Sequence, residues 1–431
     1  MPNIVNVEVS QQVAAAPSTL QQTGAFISQG ATTLAPGETA LLTQLSDLSA
    51  ILTGSVAIDT ITWSAGVVTV TTTTAHGIQS GDTIPMIISG CTPTGYNGTF
   101  AATYVSSTVF TYRLAVNPGL ISVKGSTTLE DVQELVAMNN TFFAQGQNLA
   151  VYVLELGSGT PADGVTTLTD YLANPSIRFY SYLLPKSWDT EPTMQALATQ
   201  YNGTTAQVYF YVTTTLATYA DWEGIKSVFA AVQSPTAPIT EFSLASMFRV
   251  TLAYNPNASN LAHPLSFSYI YGVTPYTLTN TQQTQLKAAG VNWVGKGSEG
   301  GISNTIIFWG TFMDLNPFNY WYAVDWLAIN VEIALANAII NGSNLPTNPL
   351  YYNQNGINTL QKVAQATVNR GISFGMILSP AEVDAVSFIT YVTENPSDYA
   401  TGTYNGLSVT FVPARGFTSI TIYLTASNIP V

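Results

Sequence analysis

Two short stretches of this 431-residue chain have the spacing of loops that bind cofactors or do covalent chemistry. Residues 295–300, GKGSEG, match G-x-G-x-x-G, in which bare glycines let backbone N–H groups approach a pyrophosphate. That chemistry requires a helix immediately behind the glycines, and the run that follows, NTIIFWG, reads as a strand. A glycine-rich hairpin fits better. Residues 371–375, GISFG, match the nucleophile elbow G-x-S-x-G, which needs strand, serine and helix in that order. Here the helical pattern precedes Ser373 and the strand follows it. The elbow also needs a histidine beyond the serine, and the two histidines, His76 and His263, both come before it. Glu130, Asp131 and Glu134 fall in the first turns of a helix, where the macrodipole favours carboxylates, and Asp189 and Glu191 do the same for a later helix. No His/Asp/Glu group has metal-ligand spacing. The single cysteine, Cys91, excludes a disulfide framework and a thiolate cluster. No catalytic residue, cofactor or metal is expected. Carboxylates far apart in sequence can still converge on a groove, so a polysaccharide-degrading enzyme stays open as an alternative.

The elements that would have to position such residues centre on 314–375. This stretch reads as a long helix, a polar loop rich in Pro, Gly and Asn, and a shorter amphipathic helix. Asn316-Pro317 is a start signal and Asn341-Gly342 a stop, giving a first helix of about 24 residues, or roughly 36 Å at ~1.5 Å per residue. Projected at about 100° per residue, its polar residues form two narrow stripes. Asn319, Asn330, Asn337 and Asn341 share one, and Asp325 and Glu332 the other. Apolar arcs lie on both sides, where an ordinary surface helix has one, so the helix is expected to pack from two directions. An acid and four asparagines interrupt the run, which argues against a membrane span.

Around this stretch the pattern changes by region. Residues 3–10 alternate, with Ile4 followed by Val5, Val7 and Val9, and 418–425 alternate Ile420, Ile422 and Leu424, so each chain end reads as a strand in need of a partner. Residues 26–52 combine AFISQG, a Pro36-Gly37 turn and ALLTQLSDLSAIL, whose spacing is helical. From Ile58 to Val123 the chain is Thr/Val/Gly-rich with turns at Gly81-Asp82 and Asn97-Gly98, an all-β module. The residues His76, Gly77, Gly81, Asp82, Tyr96, Asn97, Gly98, Thr99 and Phe100 give this module a resemblance to small insertions in bacteriophage structural proteins. His76 reads as a turn residue, with no second ligand near it. From 129 to 232 helices at 129–144, 164–173, 190–201 and 218–231 alternate with strands at 149–156, 177–184 and 206–213, which indicates a largely parallel α/β domain. Further helices are expected at 241–252 and 279–289, two strands before the long helix, and strands at 372–378, 385–392 and 405–412, the last two antiparallel.

Composition narrows the function. Charged residues are only 8% of the chain, and Thr, Ser, Asn, Gln and Gly solvate it instead. Such a surface is readily desolvated and suits extensive self-association. A net charge of −13 without a basic stripe argues against nucleic acid as a partner. The start MPNIVNVEVSQQ has neither a basic nor an apolar run, so a cytoplasmic origin is expected.

The segments 272–296 and 321–364, with Asp325, Trp326, Leu327, Leu335, Ala336, Asn337, Leu345 and Pro346, resemble the tail sheath proteins of contractile-tailed bacteriophages. The resemblance implies a multidomain α/β (mixed α+β) chain. A core α/β domain formed by both chain ends would carry an inserted small all-β module and an inserted α/β domain. The corresponding division is a 1–20 arm, core at 21–56, β module at 57–125, α/β insertion at 126–270, core at 271–416 and a 417–431 arm. It also implies a virion structural subunit, assembled in the host cytoplasm, that polymerises helically with itself by exchanging the terminal strands. Its other partners would be a tail tube protein and baseplate and terminator proteins, with no nucleic acid and no membrane insertion. The family's helix is often basic near its start, whereas Asp325 has no Arg or Lys beside it. The candidate tube-facing charges are therefore Lys362 and Arg370 on the second helix, or Asp325 with Glu332 on the first. A surface-layer or adhesin-like protein is the other alternative.

Overall fold

The computed structural model describes residues 19–203, 205–258, 264–297 and 303–419. The terminal strands expected at Ile4, Val5, Val7 and Val9 and at Ile420, Ile422 and Leu424 lie outside the described residues. In chain order, β1 (Gly24–Ser28) and β2 (Thr39–Leu42) come first. Six strands follow: β3 (Val56–Ser64), β4 (Val67–Thr72), β5 (Thr83–Thr92), β6 (Gly98–Ser106), β7 (Val109–Arg113) and β8 (Val123–Leu129). Next come α1 (Glu130–Ala144), β9 (Val151–Glu155), α2 (Pro161–Ala173), β10 (Ser181–Leu183), α3 (Pro192–Gln200), β11 (Tyr209–Thr214), β12 (Val228–Val232) and α4 (Ser243–Leu252). Then α5 (Asn280–Ala289), β13 (Asn292–Gly297) and β14 (Asn304–Phe308) precede α6 (Phe318–Ser343) and α7 (Gln354–Ser373). The described chain closes with β15 (Ile377–Ala385), α8 (Phe388–Glu394), α9 (Pro396–Thr401) and β16 (Leu407–Pro413).

The main sheet runs β14-β13-β12-β11-β10-β1-β9-β2, parallel from β9 to β13 and antiparallel at both edges. Its central strands are uninterrupted apolar runs such as VFAAV in β12, as a sheet covered on both faces requires. Alternation sorts the side chains. Phe26 of β1 meets Phe142 of α1 edge-on at 5.4 Å and Phe248 of α4 at 6.0 Å, while Ala25 and Ile27 join the cluster of Leu168, Trp188, Met194 and Leu197. Gly24 is forced by that packing, since a Cβ there would lie 2.6 Å from the Phe248 ring. Because β1 pairs directly with β9 and β10, residues 24–28 share one sheet with 151–232. The division that set 126–270 apart from 21–56 does not follow the sheet.

Strands β3 to β8 close into a barrel in the order β3-β4-β7-β6-β5-β8, packed inside with Val68, Val70, Ile84, Met86, Ile88 and Phe110. Gly125 permits the tightest crossing: at φ 69, a Cβ would stand 2.1 Å from the Ser89 carbonyl oxygen. His76 is a buried turn residue, its Nε2 2.7 Å from the Ser106 carbonyl and its Nδ1 accepting the Ile78 N–H at 3.1 Å.

A separate compact unit contains 319–416 with 255–258. Helix α6 has the length and apolar composition of a membrane-crossing helix. Its polar residues are nevertheless engaged inside this unit: Asn319 Nδ2 donates to the Ala414 carbonyl at 2.5 Å and Asn330 Oδ1 accepts from Arg370 at 2.7 Å. The two-sided packing holds only for the first half. Trp321, Tyr322, Trp326 and Ile329 are buried, while Ile339 and Ile340 are exposed.

Three local expectations are corrected. Residues 39–42 are an edge strand, not helix, because they pair antiparallel with β9; a 3-10 turn follows at Leu45–Ala50. Residues 218–231 are a 3-10 turn (Tyr219–Trp222) and strand β12. Asp189 fixes the turn by accepting from Trp222 Nε1 at 2.8 Å, and Gly224, at φ 80, ends it. Where a strand was expected at 385–392, β15 ends at Ala385 and helix α8 begins at Phe388, because the Ser387 hydroxyl caps it by accepting the Thr390 N–H. The true partner of β16 is β15.

Candidate functional site

A doubly wound sheet offers its ligand crevice where the strand order reverses, beyond the carboxyl ends of the strands. Here the order reverses between β1 and β10; the loop after β1 lies at that point, and beside it the loop after β9, LGSGT, leads into the N-terminus of α2. Such a loop could hold a phosphate on its free N–H groups. Glu155 already fills the position. Its buried carboxylate accepts from the Ser28 hydroxyl (2.6 Å), the Gly30 N–H (2.6 Å), the Thr32 N–H (3.1 Å) and hydroxyl (2.7 Å), and the Gly157 N–H (2.8 Å). Asp163 in turn accepts the Thr160 N–H at 2.9 Å, and Gln29 bridges the Thr160 carbonyl and Trp188 Nε1. The protein's own carboxylates thus occupy the donors an anionic ligand would need.

At the start of α1, Glu134 accepts the Lys186 N–H at 3.0 Å. Burial pushes Glu134 up to about 7, opposed by the Lys186 charge, and pushes Asp131 up to about 8, reinforced by Glu134, Glu130 and Glu155. No group of three or more His, Cys, Asp or Glu among the described residues could hold a metal ion. Ser373 sits at the C-terminus of α7, and the GKGSEG glycines begin in the hairpin of β13 with β14, neither in the context its motif requires.

The surfaces of the second unit differ in kind. Asp325 is 1% exposed, so it is an internal residue and not a surface charge, a correction to its reading as tube-facing. Arg370 is exposed but committed: it donates to Asn330 and lies 5.2 Å over the Trp326 ring, locking α7 to α6. Trp326 Nε1 donates to the Pro256 carbonyl at 2.7 Å, and Gly371 gives the ring room. Lys362 and Glu332 are exposed as well. Between them, residues 333–361 contain no Asp, Glu, Lys or Arg. That tip exposes Ile339, Ile340 and Tyr351, and a groove of about 650 Å³ runs between the helices there, lined by Asn337, Asn341, Leu345, Leu350 and Thr359.

Beside α7 lies the two-stranded sheet of β15 and β16, with Ile377, Ala381 and Val383 buried on the helix side and Glu382 and Asp384 exposed on the other. Its partnering, and the glutamines of α7 that reach it, were missed in the sequence. The only signal was the seven-residue alternation LSVTFVP.

No protein-family model and no curated protein sequence matches the chain. Among solved structures, a chain of the cryo-EM anti-feeding prophage (AFP) baseplate, 6-fold symmetrised, aligns over 99% of this chain and 99% of its own, with 13% identity and a TM-score of 0.56. The same baseplate in the contracted state gives 13% identity, 99% and 98% coverage and a TM-score of 0.54. The chain shares its fold with that baseplate component. A sheath tail protein from Listeria innocua aligns over 87% of this chain and 90% of its own at 11% identity, but its TM-score of 0.45 is too loose to carry an argument.

Proposed function

We propose that this protein is the structural subunit of a contractile tail sheath, which polymerises around a tail tube and contracts to drive the tube through a host envelope. The observation that carries this reading is the match over 99% of both chains to a component of a contractile baseplate, since an end-to-end correspondence includes every unit of the fold. The low charge supports it, because a surface with 8% charged residues presents little repulsion between copies. In this reading the chain ends exchange as strands between subunits, a form of β-augmentation within a helical polymer. The partners are the protein itself, a tube protein and the baseplate and terminator proteins at the two ends of the tail. No cofactor or hydrolysis enters, because the driving energy is the difference between two packings of the same subunits. The Glu155 plug is consistent with a structural rather than catalytic role.

Negative-stain microscopy of the purified full chain tests the proposal. Tubes or stacked rings are expected, most readily with purified tail tubes present. A protein that stays monomeric at high concentration and ignores tubes would not be a sheath subunit.

A further inference from the structure

Neutral donors alone hold the buried Glu155 carboxylate. Oε1 accepts the Gly30 and Gly157 N–H groups at 2.6 and 2.8 Å, and Oε2 accepts the Ser28 hydroxyl at 2.6 Å and the Thr32 N–H and hydroxyl at 3.1 and 2.7 Å. Among the described residues no Lys, Arg or His forms an ion pair with it. A carboxylate accepts about four hydrogen bonds, so these donors use it fully. Gly30 and Gly157 stand at φ 77 and 86, the left-handed conformation that turns neighbouring N–H groups towards one point and makes an anion-binding concavity.

The cradle is shaped by backbone pairing that does not involve the Glu155 side chain. The Thr33 N–H donates to the Ile51 carbonyl and the Thr53 N–H to the Ala31 carbonyl, both at 2.8 Å, and the Thr53 hydroxyl donates to the Gly30 carbonyl at 3.2 Å. On the other side the Leu156 N–H donates to the Ser28 carbonyl at 2.8 Å. These bonds also set the cradle at the foot of the barrel. Residues 51–53 lead into β3, and Gln79, between β4 and β5, donates to the Ser158 hydroxyl at 2.8 Å, beside Gly157.

We infer that Ser28, Gly30, Thr32 and Gly157 form a binding site for a small carboxylate, that Glu155 is its tethered ligand, and that filling the site fastens the foot of the barrel to the main sheet. This goes beyond the sheath reading and does not depend on it. An empty cradle would leave buried N–H and hydroxyl donors without acceptors, which is costly. A tethered ligand acts at high effective concentration, so free carboxylates do not compete with it in the native chain. Once the side chain is cut back, they can.

Glu155→Ala removes Cγ, Cδ and both carboxylate oxygens, the heavy atoms of an acetate ion. Thermal unfolding of the full-length variant and of wild type is compared in sodium acetate and in sodium chloride of equal ionic strength. In chloride the variant should unfold about 5 °C below wild type. Acetate should raise the variant's midpoint with the logarithm of its concentration and leave wild type, whose site is filled, where it was. Benzoate, too broad for the cradle, should act as chloride does. Glu155→Gln fills the cradle with an amide that turns an N–H towards donors, so its midpoint should fall without an acetate response. Equal action of acetate and chloride on Glu155→Ala, or an equal acetate response in wild type, would overturn the site. A variant that stays unfolded even in acetate would overturn it too, since the cradle would then not form without its tether. Hydrogen exchange reads the fastening role. The Thr33 and Thr53 amides should exchange faster in Glu155→Ala in chloride and recover in acetate, while the β4 amides stay as they were. Recovery of the midpoint with no change at Thr33 and Thr53 would overturn that role. All measurements use the unassembled chain, so a failure to polymerise bears on the sheath reading and not on this site.

Discussion

The carboxylates of Asp131 and Glu134 hold their protons into the neutral range because burial at the start of α1 penalises the charged form. In the unfolded chain the same groups ionise near 4. Between those values the folded state binds more protons than the unfolded state, so stability falls as pH rises through about 7 to 8. Thermal unfolding should therefore show a higher midpoint at pH 5 than at pH 8.5, and Glu134→Gln should flatten that slope. An unchanged slope in the variant would remove Glu134 from the account. A second residue-scale prediction concerns the aromatic seam: Phe142 is fully buried against Phe26 and Phe248, so Phe142→Ala should cost about 3–5 kcal/mol in denaturant unfolding. At this scale the sequence was legible where a residue's role is local. His76 reads as a turn residue from its Gly neighbour alone. Glu155 does not, because its donors lie at Ser28, Gly30 and Thr32, more than a hundred residues away and across an inserted barrel.

Among the elements, α6 and α7 were the most legible, since Asn316-Pro317 and Asn341-Gly342 punctuate a long helical pattern and the helix spans Phe318–Ser343. Residues 40–52 and 218–231 were not, because an apolar segment of that length carries helical spacing and strand content together, and pairing with β9 or β11 decides between them. The surface chemistry of the hairpin leads to a test of the tube contact. Arg370 is excluded as a probe, because its reversal would unseat Asn330 and Trp326. Lys362 and Glu332 are the exposed charges whose reversal leaves the Asn330 and Trp326 contacts intact, and an exposed pair contributes only ~0.2–1 kcal/mol, which many subunits would multiply. Lys362→Glu and Glu332→Lys, assayed separately for co-sedimentation with tubes across a salt series, should move affinity in opposite directions at low salt. If neither moves it, the uncharged span 333–361 becomes the better place to look, and binding should then be insensitive to salt.

For the whole molecule, the expectation that both chain ends act between subunits predicts that removing residues 1–15 leaves a folded, soluble protein that no longer forms long tubes. Normal tubes from that truncation would retire the idea. The barrel makes the complementary prediction. Val56 on its first strand is paired directly with Thr127 on its last, so the chain enters and leaves the barrel side by side. Antiparallel partners sit about 4.5–5.5 Å apart, a gap that a short Gly/Ser linker closes without strain. Replacing residues 57–125 with such a linker should preserve cooperative unfolding of the remainder and its polymerisation; an unfolded remainder would make the barrel part of the core.

Those adjoining ends carry a consequence beyond deletion. A site that closes over nothing will close equally over something else, provided the newcomer's own termini are one strand spacing apart. In the proposed sheath, splicing an enzyme or an antigen of that description between Val56 and Thr127 would make a scaffold bearing one passenger per subunit, at a stoichiometry and pitch set by the lattice and not by the passenger.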